Sequence, residues 1–169
     1  VMSGSMGFGN LGELVEQLLR SIRPEDRVVC VCGRNEDMQH SLQEVFADNE
    51  QLWVLGFTDQ VSLLMDASNV VFTKPGGITS TEAIVKHIPL IHTTPIPGLE
   101  NRNAHFFHQH GLSYYTNDVS QQVAVAMRLC QDKMYRQQML RQQREHANTR
   151  TSDDVIDLIL SEYEETAIQ

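Results

Sequence analysis

The chain has 169 residues, 41% of them hydrophobic, and a net charge of −9. That size and composition suit one domain with a core of its own. The acidic balance argues against a nucleic-acid groove, which needs an excess of Lys and Arg, and no apolar run approaches the ~18 residues that span a bilayer. A phosphorylated small molecule stays open as a partner, because backbone N–H groups hold phosphate without net charge. Cys30, Cys32 and Cys130 form an odd set without metal-ligand spacing. They read as buried thiols of a reducing cytoplasm, and the alternation in CVC points the first two the same way.

In chain order, the opening VMSGSMGFGN reads as the end of a strand entered from upstream, so a longer protein is expected. A helix follows. Leu11, Leu14, Val15, Leu18, Leu19 and Ile22 fall on one face at helical spacing, and Asn10 with Glu13 has the form of a capping box. Apolar runs at 1–3, 28–32, 52–55, 70–73, 90–92 and 113–115 predict six strands, mostly continuous as in parallel strands covered on both faces. Helices are predicted between them at 36–47, 60–65, 79–86 and 100–110. Residues 118–131, 133–147 and 153–164 form a helical tail, its last two helices joined by the polar run HANTRTSDD. Such alternation with short connections predicts an α/β, Rossmann-like, doubly wound parallel sheet with helices on both faces.

Ligands of open parallel sheets bind beyond the carboxyl ends of the strands. Two glycine-rich junctions fall there: SGSMGFG, with Gly4, Ser5, Gly7 and Gly9, and KPGGITS, with Gly76, Gly77, Ile78 and Thr79. Each precedes a helix whose first N–H groups lack partners, and glycine admits a close anion. Either loop alone is equally a tight turn; two in one domain suggest a diphosphate. The first is not G-x-G-x-x-G, and the second strand ends CGRNE without an acid placed for a ribose. A nicotinamide dehydrogenase is therefore disfavoured, although Arg34 could meet a 2′-phosphate. Glu82 stands three residues after Thr79. It either closes a capping box or accepts from two ribose hydroxyls. In TTPIPGLENRNAHFF, Gly98 turns the chain, and Glu100, Asn101, Arg102 and Asn103 crowd a helix start. They form an ordinary polar turn or a sugar site, since carboxylates and amides suit hydroxyls. HFFHQH is read as a helix face rather than a metal site, and His87 and His92 have no evident partner. Trp53 and Tyr114 are read as packing residues, and MLRQQRE as a solvated helix face.

Together SGSMGFGN, LGFTDQVSLLMDASNVVFTKPGGITSTEAI and PIPGLENRNAHFF resemble, in order and spacing, the C-terminal donor-binding half of GT-B glycosyltransferases. The likeness is to the group of the peptidoglycan N-acetylglucosaminyltransferase and the diacylglycerol glycosyltransferases. TKPGG-x-T-x-x-EA followed by P-x-PG-x-E-x-x-NA-x-F is most similar to the processive diacylglycerol glucosyltransferases.

The resemblance implies one donor-binding domain over residues 1–169, with 118–169 its helical tail. It implies that the acceptor-binding domain and the general base belong to an N-terminal half absent from this chain, so no catalytic residue is named. Gly4, Ser5 and Gly7 of the first loop, and Gly76, Gly77, Ile78 and Thr79, would face the diphosphate of a UDP-sugar. Phe57 and Thr58, after Gly56, would hold the uracil, and Glu82 the ribose. Gly98, Glu100, Arg102 and Asn103 would meet the sugar. The implied reaction is inverting transfer of a hexose, glucose by likeness, to a diacylglycerol-type lipid, with no metal or cofactor and no nucleic acid. The implied place is the cytoplasm, peripherally at the inner face of the membrane. Two alternatives stay open: a UDP-N-acetylglucosamine 2-epimerase-like enzyme, and the donor-binding subunit of a split N-acetylglucosaminyltransferase.

Overall fold

The computed structural model describes residues 1–2, 11–96, 98–147 and 156–160. The elements are α1 (Leu11–Ser21), β1 (Val28–Val31), α2 (Glu36–Val45), β2 (Leu52–Leu55), α3 (Val61–Asp66), β3 (Val71–Thr73), α4 (Gly77–Val85), β4 (Leu90–His92), α5 (Leu99–Gln109), β5 (Tyr114–Tyr115), α6 (Val119–Gln131) and α7 (Lys133–His146). Residues 156–160 are also helical and exposed. Asn10 of the expected capping box, and the ends of the expected 153–164 helix, lie outside the described residues.

All strand pairs are parallel. β1 pairs with β2, β3 with β4, and β4 with β5. Met2 joins the two groups by bridging Val31 and Thr73. Its N–H donates to Phe72 O at 2.8 Å, and Val31 N–H donates to Val1 O at 2.8 Å. The first predicted strand is therefore present as a two-residue bridge at the centre of the sheet. The spatial order is β2, β1, Met2, β3, β4, β5. Counted along the chain this is 3-2-1-4-5-6, the dinucleotide-fold order, whose reversal lies between the first and fourth strands.

Side chains alternate across the sheet, as the strand period requires. Phe72 and Ile91 join Leu14 and Leu18 of α1 and Val123, Ala126 and Leu129 of α6 on one face. Val71 and Leu90 join Met65 of α3 and Ala83 and Ile84 of α4 on the other. Cys30 and Cys32 are buried with Leu11, Val15 and Leu42 of α2. Two expectations fail at the edges. Cys130 is exposed near the end of α6, and Trp53 is 57% exposed because β2 is an edge strand.

His92, expected to lack a partner, is buried in β4 and has two: Ser80 Oγ at 2.9 Å from Nε2 and Ser113 Oγ at 3.0 Å from Nδ1. Burial, with His108 a smaller cause, lowers its pKa to about 3. The HFFHQH histidines line a helix face. His105 and His108 stack edge-on against Tyr115 and Tyr114. Among the described residues no three His, Cys, Asp or Glu side chains gather to hold a metal, and no helix is long and apolar enough to cross a membrane. α7 buries Met139, Leu140 and Gln143 and pairs Arg141 with Glu145 on its outer side.

Candidate donor site

Helix capping separates the helices that close on themselves from those left open. Asn35 caps α2 by accepting from Met38 N–H at 2.9 Å. Asp118 caps α6 and Asp132 caps α7, each at 3.0 Å. The N-cap residues of α3, α4 and α5, Gln60, Gly76 and Gly98, make no side-chain cap, and in the last two the residue is glycine.

In α4 the first turn closes with Ser80 N–H to Gly76 O at 3.2 Å. The N–H groups of Gly77, Ile78 and Thr79 then have no acceptor among the described residues. Such orphan donors carry the positive end of the helix dipole and bind anions. The expected Thr79–Glu82 capping box is absent. The helix starts two residues earlier, at Gly77, so Thr79 lies inside the first turn that Ser80 N–H closes on Gly76 O and is not at an N-cap.

Why glycine stands at 76 and 77 now has a local answer. Neither has a positive φ, and a Cβ at either would meet no described atom within 4 Å. Packing against the described residues does not demand these glycines. The space in front of them is what they keep open.

That space belongs to a cleft of about 390 Å³ at the carboxyl ends of the central strands. Its wall comes from Val31, Gly33 and Arg34 at the end of β1, Phe57, Thr58 and Val61 after β2, Thr73, Lys74, Gly76 and Thr79 around the end of β3, and Met2. The volume falls within the range of small-ligand sites, and its place is the topological switch point. Arg34 lies 5.4 Å from the centre of the Phe57 ring, and Phe57 itself is 71% exposed.

The structure thus brings Phe57, Thr58, Gly76 and Thr79 together, with Gly77 and Ile78 beside them in the same turn of α4. Glu82 lies further along α4, half-buried. It does not line the cleft, and its carboxylate has no hydrogen bond or ion pair among the described residues. The α5 group is tied to the same loop from the side. Glu100 pairs with Lys74 at 2.8 Å, and Asn103 Nδ2 donates to Pro75 O at 3.0 Å. Gly98 has φ 113°, which only glycine adopts readily, and Arg102 is exposed. Gly4, Ser5 and Gly7 lie outside the described residues. Lys74 and Gly33 were not singled out from sequence. The signal for Lys74 was its place at a strand end directly before Pro75.

Residues 1–159 match the family model described as the glycosyltransferase family 28 C-terminal domain. The chain belongs to this family. It is 33% identical over 164 residues to the processive diacylglycerol beta-glucosyltransferase of Bacillus cereus (strain AH820), covering 96% of this chain and 42% of that relative. The chain therefore spans less than half the length of that curated protein. The crystal structure of Acinetobacter baumannii MurG superposes with a TM-score of 0.76 at 21% identity, over 95% of this chain and 48% of that one. A Listeria monocytogenes structure described as a UDP-N-acetylglucosamine 2-epimerase superposes at 0.68 and 17% identity, over 90% and 40%. These likenesses establish the Rossmann-like fold shared with GT-B halves. The fold alone does not separate transferase from epimerase.

Proposed function

We propose that this domain is the UDP-sugar-binding half of an inverting, metal-independent glycosyltransferase that moves a hexose to a lipid acceptor. Glucose and a diacylglycerol-type lipid are proposed because the B. cereus relative is named for them. The observation that carries the reading is the uncapped first turn of α4, open on a cleft at the switch point. A diphosphate is the anion whose charge those N–H groups would meet, with a nucleobase beside Phe57 and Thr58.

In the proposed reaction an acceptor hydroxyl attacks the anomeric carbon from the face opposite the nucleotide. The bond from that carbon to the phosphate oxygen breaks, and its electron pair stays on the phosphate. Amides aimed at that growing charge lower the barrier without having to reorganise. The hydroxyl proton goes to a base supplied by the remainder of the protein. Work at the inner membrane face, by peripheral association from the cytoplasm, is part of the proposal.

Calorimetric titration with UDP in EDTA tests it. Binding is expected. Glu82, one turn beyond Thr79, is proposed as the acceptor for the ribose hydroxyls, so Glu82→Ala is expected to weaken binding by about 1–3 kcal/mol through lost hydrogen bonds to a charged group. A folded domain that ignores UDP would sink the reading. The epimerase alternative is tested with the full-length protein and UDP-N-acetylglucosamine alone, where release of a 2-epimerised sugar would favour it.

A further inference from the structure

We infer that Lys74 is a positioning residue for the sugar end of this site, fixing the Glu100 carboxylate so that it accepts from hydroxyls of the donor's hexose. The inference rests on the UDP-sugar reading above.

Lys74 directly follows β3 and lines the cleft. The residue before a proline is held extended, so buried Pro75 fixes the backbone from which Lys74 projects. Its ammonium lies 2.8 Å from Glu100 Oε1, with side-chain exposures of 30% for Lys74 and 15% for Glu100. The other carboxylate oxygen, Oε2, accepts from Ile96 N–H at 2.8 Å. Each oxygen is therefore held by one donor, from opposite sides of the loop. An ionised carboxylate has about four lone-pair sites, so each oxygen keeps capacity for a hydroxyl. Asn103 anchors α5 to the same loop through Pro75 O and keeps its own Oδ1 as an acceptor. A carboxylate pinned in this way is acceptor-only. It complements the hydroxyl donors of a hexose and repels another acceptor placed there.

The competing role for Lys74 is direct contact with the diphosphate, and the two roles separate by ligand. In the full-length protein, dissociation constants are measured for UDP and for UDP-glucose, with kcat and KM, in Lys74→Met, Lys74→Arg, Glu100→Gln and the Lys74→Met/Glu100→Gln double variant. Positioning predicts that Lys74→Met weakens UDP-glucose by about tenfold or more while UDP changes by less than about threefold. It also predicts that the double variant is no worse than Glu100→Gln, and that Lys74→Arg recovers most of the loss. Equal weakening of UDP and UDP-glucose, or additive effects in the double variant, would overturn the inference. A wild-type protein that binds neither ligand overturns the donor-site reading, and the inference with it.

Discussion

At the scale of single residues, two helix ends built to one plan use different residues. After α5, Leu112 N–H reaches Phe107 O and Gly111 N–H reaches His108 O. After α4, Ile88 N–H reaches Ala83 O and His87 N–H reaches Ile84 O. Both are Schellman motifs, and both need a left-handed residue. Gly111 has φ 67°, while His87 has φ 54° and sets its ring Nδ1 3.0 Å from Ile84 O. A side chain in that conformation costs about 1–2 kcal/mol. His87→Gly is therefore expected to stabilise the domain by about 0.5–1 kcal/mol, less than the full cost because the ring contact is lost. Gly111→Ala is expected to destabilise it by about 1–2 kcal/mol, since its Cβ would also crowd Gln142 Cγ at 3.1 Å. Urea midpoints for the pair check both signs. Gly76 gives the opposite contrast. Gly76→Val is expected to change the unfolding free energy by no more than about 1 kcal/mol, the scale of an N-cap preference, yet weaken UDP in calorimetry, because the ligand needs the space.

At the scale of elements, α7 is a clamp. Gln143 is fully buried, and its amide donates to Ile88 O at 2.9 Å and Leu112 O at 3.0 Å. Those carbonyls belong to the residues that complete the two Schellman turns. One side chain thus joins the ends of α4 and α5 from behind, while Lys74 and Asn103 join the loops at their beginnings from in front. Gln143→Met keeps the volume and removes both bonds. Leaving those two carbonyls without the amide is expected to cost about 1–3 kcal/mol, read as a drop in melting temperature. Removing Gln143 Oε1, itself buried without a partner among the described residues, offsets part of the loss. MLRQQRE reads from sequence as a solvated helix face, and the structure corrects this: Met139, Leu140 and Gln143 are buried, and the glutamine is the most buried of the three.

At the scale of the whole molecule, His92, buried on the α4 face of the sheet against Ser80, makes stability depend on pH. Its folded pKa, about 3, is below the ordinary 6.5 because burial penalises the charged ring. Between those values the unfolded chain binds the extra proton and the native state does not. The His92 contribution is complete above pH 6.5 and is lost as pH falls towards 3. The slope approaches about 1.4 kcal/mol per pH unit within that window. Melting temperatures from pH 7 to 4 are expected to fall less steeply in His92→Gln than in wild type. Equal slopes would show that the imidazole contributes nothing.

Sequence by itself determined what depends on neighbours along the chain: the apolar stripe of α1, the strand–helix alternation, and the glycines that open α4. These follow from helix and strand periods and from backbone sterics, which are local. Tertiary structure decided what depends on packing across the chain. Ser80 and Ser113 meet His92 only when β4, β5 and α4 come together, and Lys74 meets Glu100 only where β3 ends against the start of α5. α4 winds from Gly77 and takes Thr79 into its first turn, so the Thr79–Glu82 spacing, sound as a local pattern, forms no cap. A short-range code can mark where a turn opens, but the partners of a buried polar group are chosen by whichever segments the sheet order brings within 3 Å.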